Sequence, residues 1–263
     1  MPKKYLTYVL PILTGLAFIG AWYAARALLG EDGKFLLPTP DEIFVAFQEH
    51  GDQLWAAMLN TTKGAVIGFS VAVVVSFIFA LILSLTPMVR ASLYPYLMIL
   101  QMTPIIVLAP ILILWVGPGL ASVTIITFLI CFFPLTVNTT QGLISTDRNL
   151  VDLFTMCKAT KVQEIFMLRV PAALPYFFTG LRIAATLAPI GAIVGDFYAG
   201  NSAGGEGGLG FMTIVFASQF KNAALFATAV ASCGLGFLFA GIGIGLAWSS
   251  MHKWHDSYAN SDS

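Results

Sequence analysis

Two ionisable residues, Arg182 and Asp196, stand inside the apolar run from Leu174 to Ala199. Placing a charge in hydrocarbon is costly, so each is a candidate for contact with a solute or ion. Arg182 lies near one end of the run, where its long stem can carry the guanidinium to the interface. Asp196, beside Gly195 and Tyr198, is placed to line a polar cavity.

Other chemistry is sparse. Gly205-Glu206-Gly207-Gly208-Leu209-Gly210 satisfies G-x-G-x-x-G, but a dinucleotide site needs that motif between a strand and a helix. Here it follows a long apolar run and reads as part of an external turn from Gly200 to Gly210. No phosphate loop occurs, since the Gly33-Lys34 pair is followed by Phe35, so no ATP site and no cofactor is expected on this chain. His50, His252 and His255 are scattered, and neither a metal set nor a Ser-His-Asp arrangement is supported. Cys131, Cys157 and Cys233 are odd in number without paired metal spacing, and are expected to be small packing residues. The sequons at Asn60 and Asn138 are discounted because Asn138 falls at an inner helix end.

The elements that must position these residues are membrane helices. The chain is 58% hydrophobic and 10% charged, against about 25% charged in a soluble domain. Formal charge is zero, which leaves no broad basic surface for nucleic acid. Apolar runs at about 5–29, 60–85, 93–116, 120–142, 174–199 and 223–248 predict an all-α membrane protein of about six spans, a single domain over residues 1–263. The first run is too long for a signal peptide, although Ala25-Arg26-Ala27 resembles a cleavage site. With both termini cytoplasmic, nine of the thirteen basic residues lie inside, as the positive-inside rule requires. External loops are then expected at about 30–59 and 200–222. In the first, Asp41 and Glu42 begin a surface helix after Pro38-Thr39-Pro40, with Ile43, Phe44 and Phe47 as its apolar stripe. Pro104, Pro110, Pro134 and Pro189 can kink their spans. In the last span, Gly241-xxx-Gly245 permits close helix approach, to a neighbouring span or to a second copy.

The longest amphipathic segment, about 144–171, interrupts this pattern. Asn149 is expected to cap one short helix, with Asp152 bonding back, and Thr160-Lys161-Val162-Gln163 is a capping box for a second helix that Pro171 and Pro175 limit. Leu150, Leu153, Phe154 and Cys157 form one stripe, and Val162, Ile165, Phe166 and Arg169 another. Asp152, Lys158, Lys161 and Glu164 offer a polar face to the cytoplasm.

With these residues the chain resembles the membrane permease subunits of bacterial ABC importers, in the nitrate, sulfonate and taurine group. The similarity runs from about Leu37 to Leu246. It is carried by Leu37-Pro38-Thr39-Pro40, Pro104 with Pro110 through Gly119, Phe133-Pro134 with Asn138-Thr139, and Val170 through Arg182. The resemblance implies a type I importer permease in the bacterial inner membrane, working with a separate subunit that binds ATP and magnesium, an extracytoplasmic solute-binding protein and a second permease copy. It also implies a coupling loop docked in a groove of the ATPase, with Asp152, Leu153 and Phe154 at the family's E-A-A positions and Lys158 at its glycine. Asn149, Asp152, Leu153, Phe154, Lys158, Thr160, Gln163 and Glu164 are the expected coupling residues; Asp196, Gln101, Thr103 and Asn138 are the expected pathway residues. A lysine in a left-handed turn costs about 1 kcal/mol relative to glycine. The alternative is a transporter or channel driven by an ion gradient, which more typically carries several buried carboxylates and internal repeats. A membrane enzyme would need a paired acid, a metal cluster or an activated nucleophile, and the chain offers none of these. Nitrate, sulfonates, bicarbonate and vitamin precursors all remain open as solutes.

Overall fold

The structure, a computed structural model, describes residues 3–30, 35–199 and 207–251, with side chains from Val9 onward. The expectations for Glu31, Asp32 and Gly33-Lys34, for the turn from Gly200 to Glu206, and for His252, Lys253 and His255 lie outside the described residues. Among the described residues every regular element is helical. In chain order these are α1 (Lys3–Leu28), α2 (Pro40–Glu49), α3 (Gly51–Leu85), α4 (Pro87–Met102), α5 (Ile105–Val116), α6 (Leu120–Ile144), α7 (Arg148–Met156) and α8 (Lys161–Gln163). A π-helical turn (Glu164–Arg169) leads into α9 (Val170–Ala199), followed by α10 (Leu209–Ser218) and α11 (Asn222–Met251). Five of the described helices are long and apolar enough to cross a membrane, or six spans when the bent pair α4–α5 counts as one.

The bent pair departs from the straight third span expected at 93–116: α4 and α5 meet at 97°. Thr103 and Pro104 are both extended there. A residue before proline is driven out of the helical region, and Pro104 has no N–H to continue the ladder. The second span also begins earlier than expected. Only His50 separates α2 from α3, so residues 51–59, read as loop, are helical.

α6 is the central helix, packed most extensively against α9 and α3. Two of its residues are each held between two glycines. A Cβ on Gly64 of α3 would stand 2.6 Å from Val123 Cγ1, and one on Gly195 of α9 would stand 2.9 Å from Val123 Cα. One helical turn inward, a Cβ on Gly68 would meet Thr127 Cβ at 2.6 Å, and one on Gly191 would meet Thr127 Cα at 2.9 Å. Further along, Ser76 donates to the Phe132 carbonyl at 3.0 Å, and Cys131 Sγ donates to the Ala184 carbonyl at 3.4 Å. Of the cysteines expected to pack, only Cys131 is buried. Cys157 at the end of α7 and Cys233 on α11 are exposed.

α11 closes on α9 through Gly243, whose Cβ would meet that of Ala185 at 2.7 Å. A methyl at Gly241 or Gly245 would have nothing within 4 Å, so the small-residue spacing is not used inside the protomer. α1 is peripheral, and from Val9 to Ala21 every side chain is exposed. Its outer end is tied to the segment before α3: Trp22 Nε1 donates to the Pro38 carbonyl at 3.0 Å, and Arg26 pairs with Glu42 at 2.8 Å. That hydrogen bond holds the Glu42 carboxyl below the ordinary range. Glu42 also completes a capping box with Thr39, so α2 starts where Pro38-Thr39-Pro40 predicts. Ile43 is buried and Phe47 packs on the core, whereas Phe44 points away.

The glycine contacts carry a direct test. Gly195→Ala forces a methyl against the α6 backbone and should destabilise the detergent-solubilised protein by about 1–3 kcal/mol, read as a lowered thermal midpoint. Gly234→Ala, in open space, should be neutral or stabilising by up to about 1 kcal/mol.

Candidate functional site

The break between α4 and α5 opens a cavity of about 480 Å³, lined by residues 100–105 and 108 with Leu129, Ile130, Phe133 and Pro134 of α6 and Ile183 and Leu187 of α9. These stretches fall midway along their three spans, so the cavity sits near mid-membrane. A helix break at that depth leaves terminal backbone groups without intrahelical partners, a condition tolerated where the backbone lines a cavity. Gln101 and Thr103 supply the polar side chains of the wall, and no charged residue is among the lining. The Thr103 hydroxyl is returned to the Ile99 carbonyl at 3.1 Å.

The other two residues expected on the pathway lie elsewhere. Asn138 is one helical turn from Pro134 and donates to its carbonyl at 2.8 Å, with Gly180 packed against its Cβ. Asp196 is 4% exposed at the outer end of α9. The Thr61 hydroxyl of α3 donates to its carboxylate at 2.5 Å, and Thr61 in turn accepts the Leu209 N–H at 2.8 Å. A Cβ on Gly208 would collide with that carboxylate, and one on Gly210 with the backbone of Ile193 and Phe197. The constellation is a latch that fastens α3, α9 and the start of α10. Thr61 escaped sequence reasoning because it stands in the discounted sequon Asn60-Thr61-Thr62; a hydroxyl at an apolar helix position was the signal available. Arg182 is exposed at the inner half of α9, as expected of a side chain that reaches the interface.

On the cytoplasmic side the cap of α7 is Asp147, whose carboxylate accepts from the Asn149 N–H at 2.9 Å. Asn149 is therefore not the cap, and Asp152 does not bond back. The carboxylate two residues earlier is the better-placed acceptor for the free N–H groups of the first turn. α7 ends in a Schellman motif, with Lys158 N–H bonded to the Thr155 carbonyl and Ala159 N–H to that of Phe154. Lys158 has φ 54°, the left-handed region that favours glycine. Thr160 and Gln163 form the expected capping box. The helix that follows is not limited by Pro171 or Pro175. Pro171 cannot bond back to Met167 and its ring crowds that carbonyl, and the widened π turn before it absorbs the mismatch, so α8, the turn and α9 form one continuous rod.

Glu164, expected on the polar face, is buried. It accepts from Arg169 Nε at 2.8 Å and from Lys161 Nζ at 2.8 Å, bracing the π turn. Phe154 is half-buried. Asp152, Lys158 and Lys161 remain exposed, and beside them stands an outward apolar row, Leu150, Leu153 and Met156 on α7, with Val162, Phe166 and Met167 on the rod. Asp152 faces a different wall, beside Arg148.

A fold of these helices with a broken mid-membrane span and an apolar cytoplasmic platform is that of a permease, and comparison with known proteins agrees. The family model described as "Binding-protein-dependent transport system inner membrane component" matches residues 72–256, and the chain belongs to this family. It is the multi-pass, inner-membrane permease subunit of an ABC importer, and forms the translocation pathway for a small solute. Among its relatives, the formylaminopyrimidine transport permease protein ThiX of Halalkalibacterium halodurans is 36% identical over 88% of this chain and 91% of its own. The riboflavin transport system permease protein RibX of Chloroflexus aurantiacus is 30% identical over 90% of this chain and 86% of its own. A crystal structure of an amino acid ABC transporter shares the fold with a TM-score of 0.62 at 11% identity, over 80% of this chain and 98% of that one.

The latch predicts an asymmetry between two conservative changes. Thr61→Val removes both the donor to Asp196 and the acceptor for Leu209 N–H, and should cost about 1–3 kcal/mol in detergent unfolding. Thr61→Ser keeps both hydrogen bonds and should stay close to the parent.

Proposed function

We propose that this permease passes a neutral, flat, hydrogen-bonding organic solute of the vitamin-precursor kind rather than an inorganic anion or a sulfonate. The observation that carries the reading is the mid-membrane cavity, whose lining is apolar except for Gln101, Thr103 and the backbone at the break. An oxyanion crossing that wall would meet no cation to offset the loss of its hydration, whereas a heteroaromatic ring can stack on Phe133 and Pro134 and bond to one amide and one hydroxyl. The names of the two relatives above, formylaminopyrimidine and riboflavin permeases, point the same way.

An extracytoplasmic binding protein delivers the solute at the outer ends of the spans, and two permease copies face each other across the pathway. This chain is not an enzyme: ATP and magnesium are bound and ATP is hydrolysed in a separate subunit. That subunit grips the segment at about 144–171, through the apolar row Leu150, Leu153 and Met156 with Val162, Phe166 and Met167. Such a row wants a hydrophobic partner. Asn149, Asp152, Phe154, Lys158, Thr160, Gln163 and Glu164 shape and cap the platform that presents it. Because the rod from Lys161 to Ala199 is unbroken, a pull on its cytoplasmic end turns α9 as one body, and α9 walls the cavity through Ile183 and Leu187.

Reconstitution with the ATPase and binding protein in liposomes tests both halves. Gln101→Leu should reduce uptake of a labelled pyrimidine about tenfold through loss of one hydrogen bond to solute. Leu153→Asp should abolish uptake and co-purification of the ATPase together. Uptake of nitrate or bicarbonate in preference to pyrimidines would contradict the solute assignment, and full uptake by Leu153→Asp the coupling assignment.

A further inference from the structure

The cytoplasmic half of the molecule carries two recesses that meet. The lower, of about 520 Å³, is lined among others by Arg90, Arg148, Lys161, Arg169 and Asp152. The upper, of about 460 Å³, runs between α4 and α6 along Ala91, Tyr94, Pro95, Val137 and Thr140. They share Pro87, Arg90 and Ile144, so a basic mouth adjoins an apolar slot along one groove wall. Its mouth lies where α3 ends, α4 starts and α6 ends, which is the inner membrane surface for three spans at once.

The charges at the mouth are unequal in their duties. Lys161 and Arg169 are held by Glu164. Arg90 and Arg148 have no side-chain hydrogen bond or ion pair among the described residues, and Asp152 is the one carboxylate in the lining. Counting Arg90, Arg148, Lys161 and Arg169 against Asp152 and Glu164, four positive charges meet two negative ones, an excess of two. Beside the slot above, Thr140 is 1% exposed and its hydroxyl has no hydrogen-bond partner among the described residues. A buried hydroxyl without a partner costs free energy unless something polar reaches it.

We propose that this groove holds an anionic glycerophospholipid of the inner leaflet. Its phosphodiester lies between the Arg90 and Arg148 guanidiniums, whose forked donors suit phosphate oxygens. An ester carbonyl of the glycerol accepts from Thr140, and an acyl chain occupies the slot past Ala91 and Tyr94. The groove is distinct from the ATPase platform: on α7, Arg148, Val151 and Asp152 face it, whereas Leu150 and Leu153 lie on the other side of the helix. Bound there, the lipid joins α7 and the cytoplasmic start of the rod, where Lys161 and Arg169 stand, to the α3–α4 turn.

The test is native mass spectrometry of the permease with its ATPase, released from nanodiscs that contain phosphatidylglycerol and phosphatidylcholine. The parent should retain phosphatidylglycerol selectively. Arg90→Gln with Arg148→Gln should weaken that retention about thirtyfold, the loss of two interfacial cation contacts. Ala91→Phe, which fills the slot and leaves every charge in place, should also lose the lipid, and it keeps the question answerable if the double variant folds poorly. Equal retention of both lipids, or unchanged retention in both variants, would overturn the assignment. So would displacement of phosphatidylglycerol by millimolar inorganic phosphate, which would mark a site for a free anion.

Discussion

The structure depends on how closely three helices approach at Val123 and Thr127. Each of these α6 residues has a glycine of α3 on one side and a glycine of α9 on the other, Gly64 with Gly195 and Gly68 with Gly191. In a bilayer, lipid tails are as apolar as leucine, so helices are not driven together by the hydrophobic effect; close van der Waals contact and polar bonds must do it. The latch of Thr61, Asp196 and Leu209 continues the same seam outward by one turn of α3. Asp196 is therefore an expensive group spent on architecture, satisfied by a hydroxyl that is itself satisfied by a backbone donor.

A core this tightly joined leaves the irregular geometry to the remaining spans. α4 and α5 pack on α6 without belonging to the glycine seam, and there the chain tolerates the sharp bend at Thr103-Pro104. The same division separates parts by role. The seam holds the outer halves of α3, α6 and α9 together, the break opens a cavity beside the middle of α6 and α9, and the unbroken rod joins the cytoplasmic platform to the cavity wall.

Much of this was legible in the residues. Six apolar runs and the charge asymmetry give the span count, and the motifs from Leu37 through Arg182 give the family. The Thr39 and Thr160 capping boxes mark their helix starts because that signal is local, a hydroxyl and an acid or amide three residues apart. Asp147 was missed in favour of Asn149 since both can cap and periodicity alone does not separate them. Pro104 and Pro171 share a chemistry yet have opposite outcomes. At Pro104 the preceding Thr103 goes extended, whereas before Pro171 the helix widens into a π turn and continues. What decides is the packing around each proline, which no local pattern contains. Likewise Glu164 is outward by sequence and inward in fact, because Arg169 lies one widened turn away and only the π geometry brings the pair together.

On the proposed mechanism the break at Thr103-Pro104 lies on the solute path. With Cys131, Cys157 and Cys233 replaced by serine, a Thr103→Cys permease assembled with its ATPase and binding protein should react with a membrane-impermeant thiol reagent from the cytoplasmic side at rest. After trapping of the ATPase with vanadate it should react from the external side instead. Labelling that is the same from both sides in both states, or absent in either, would contradict it.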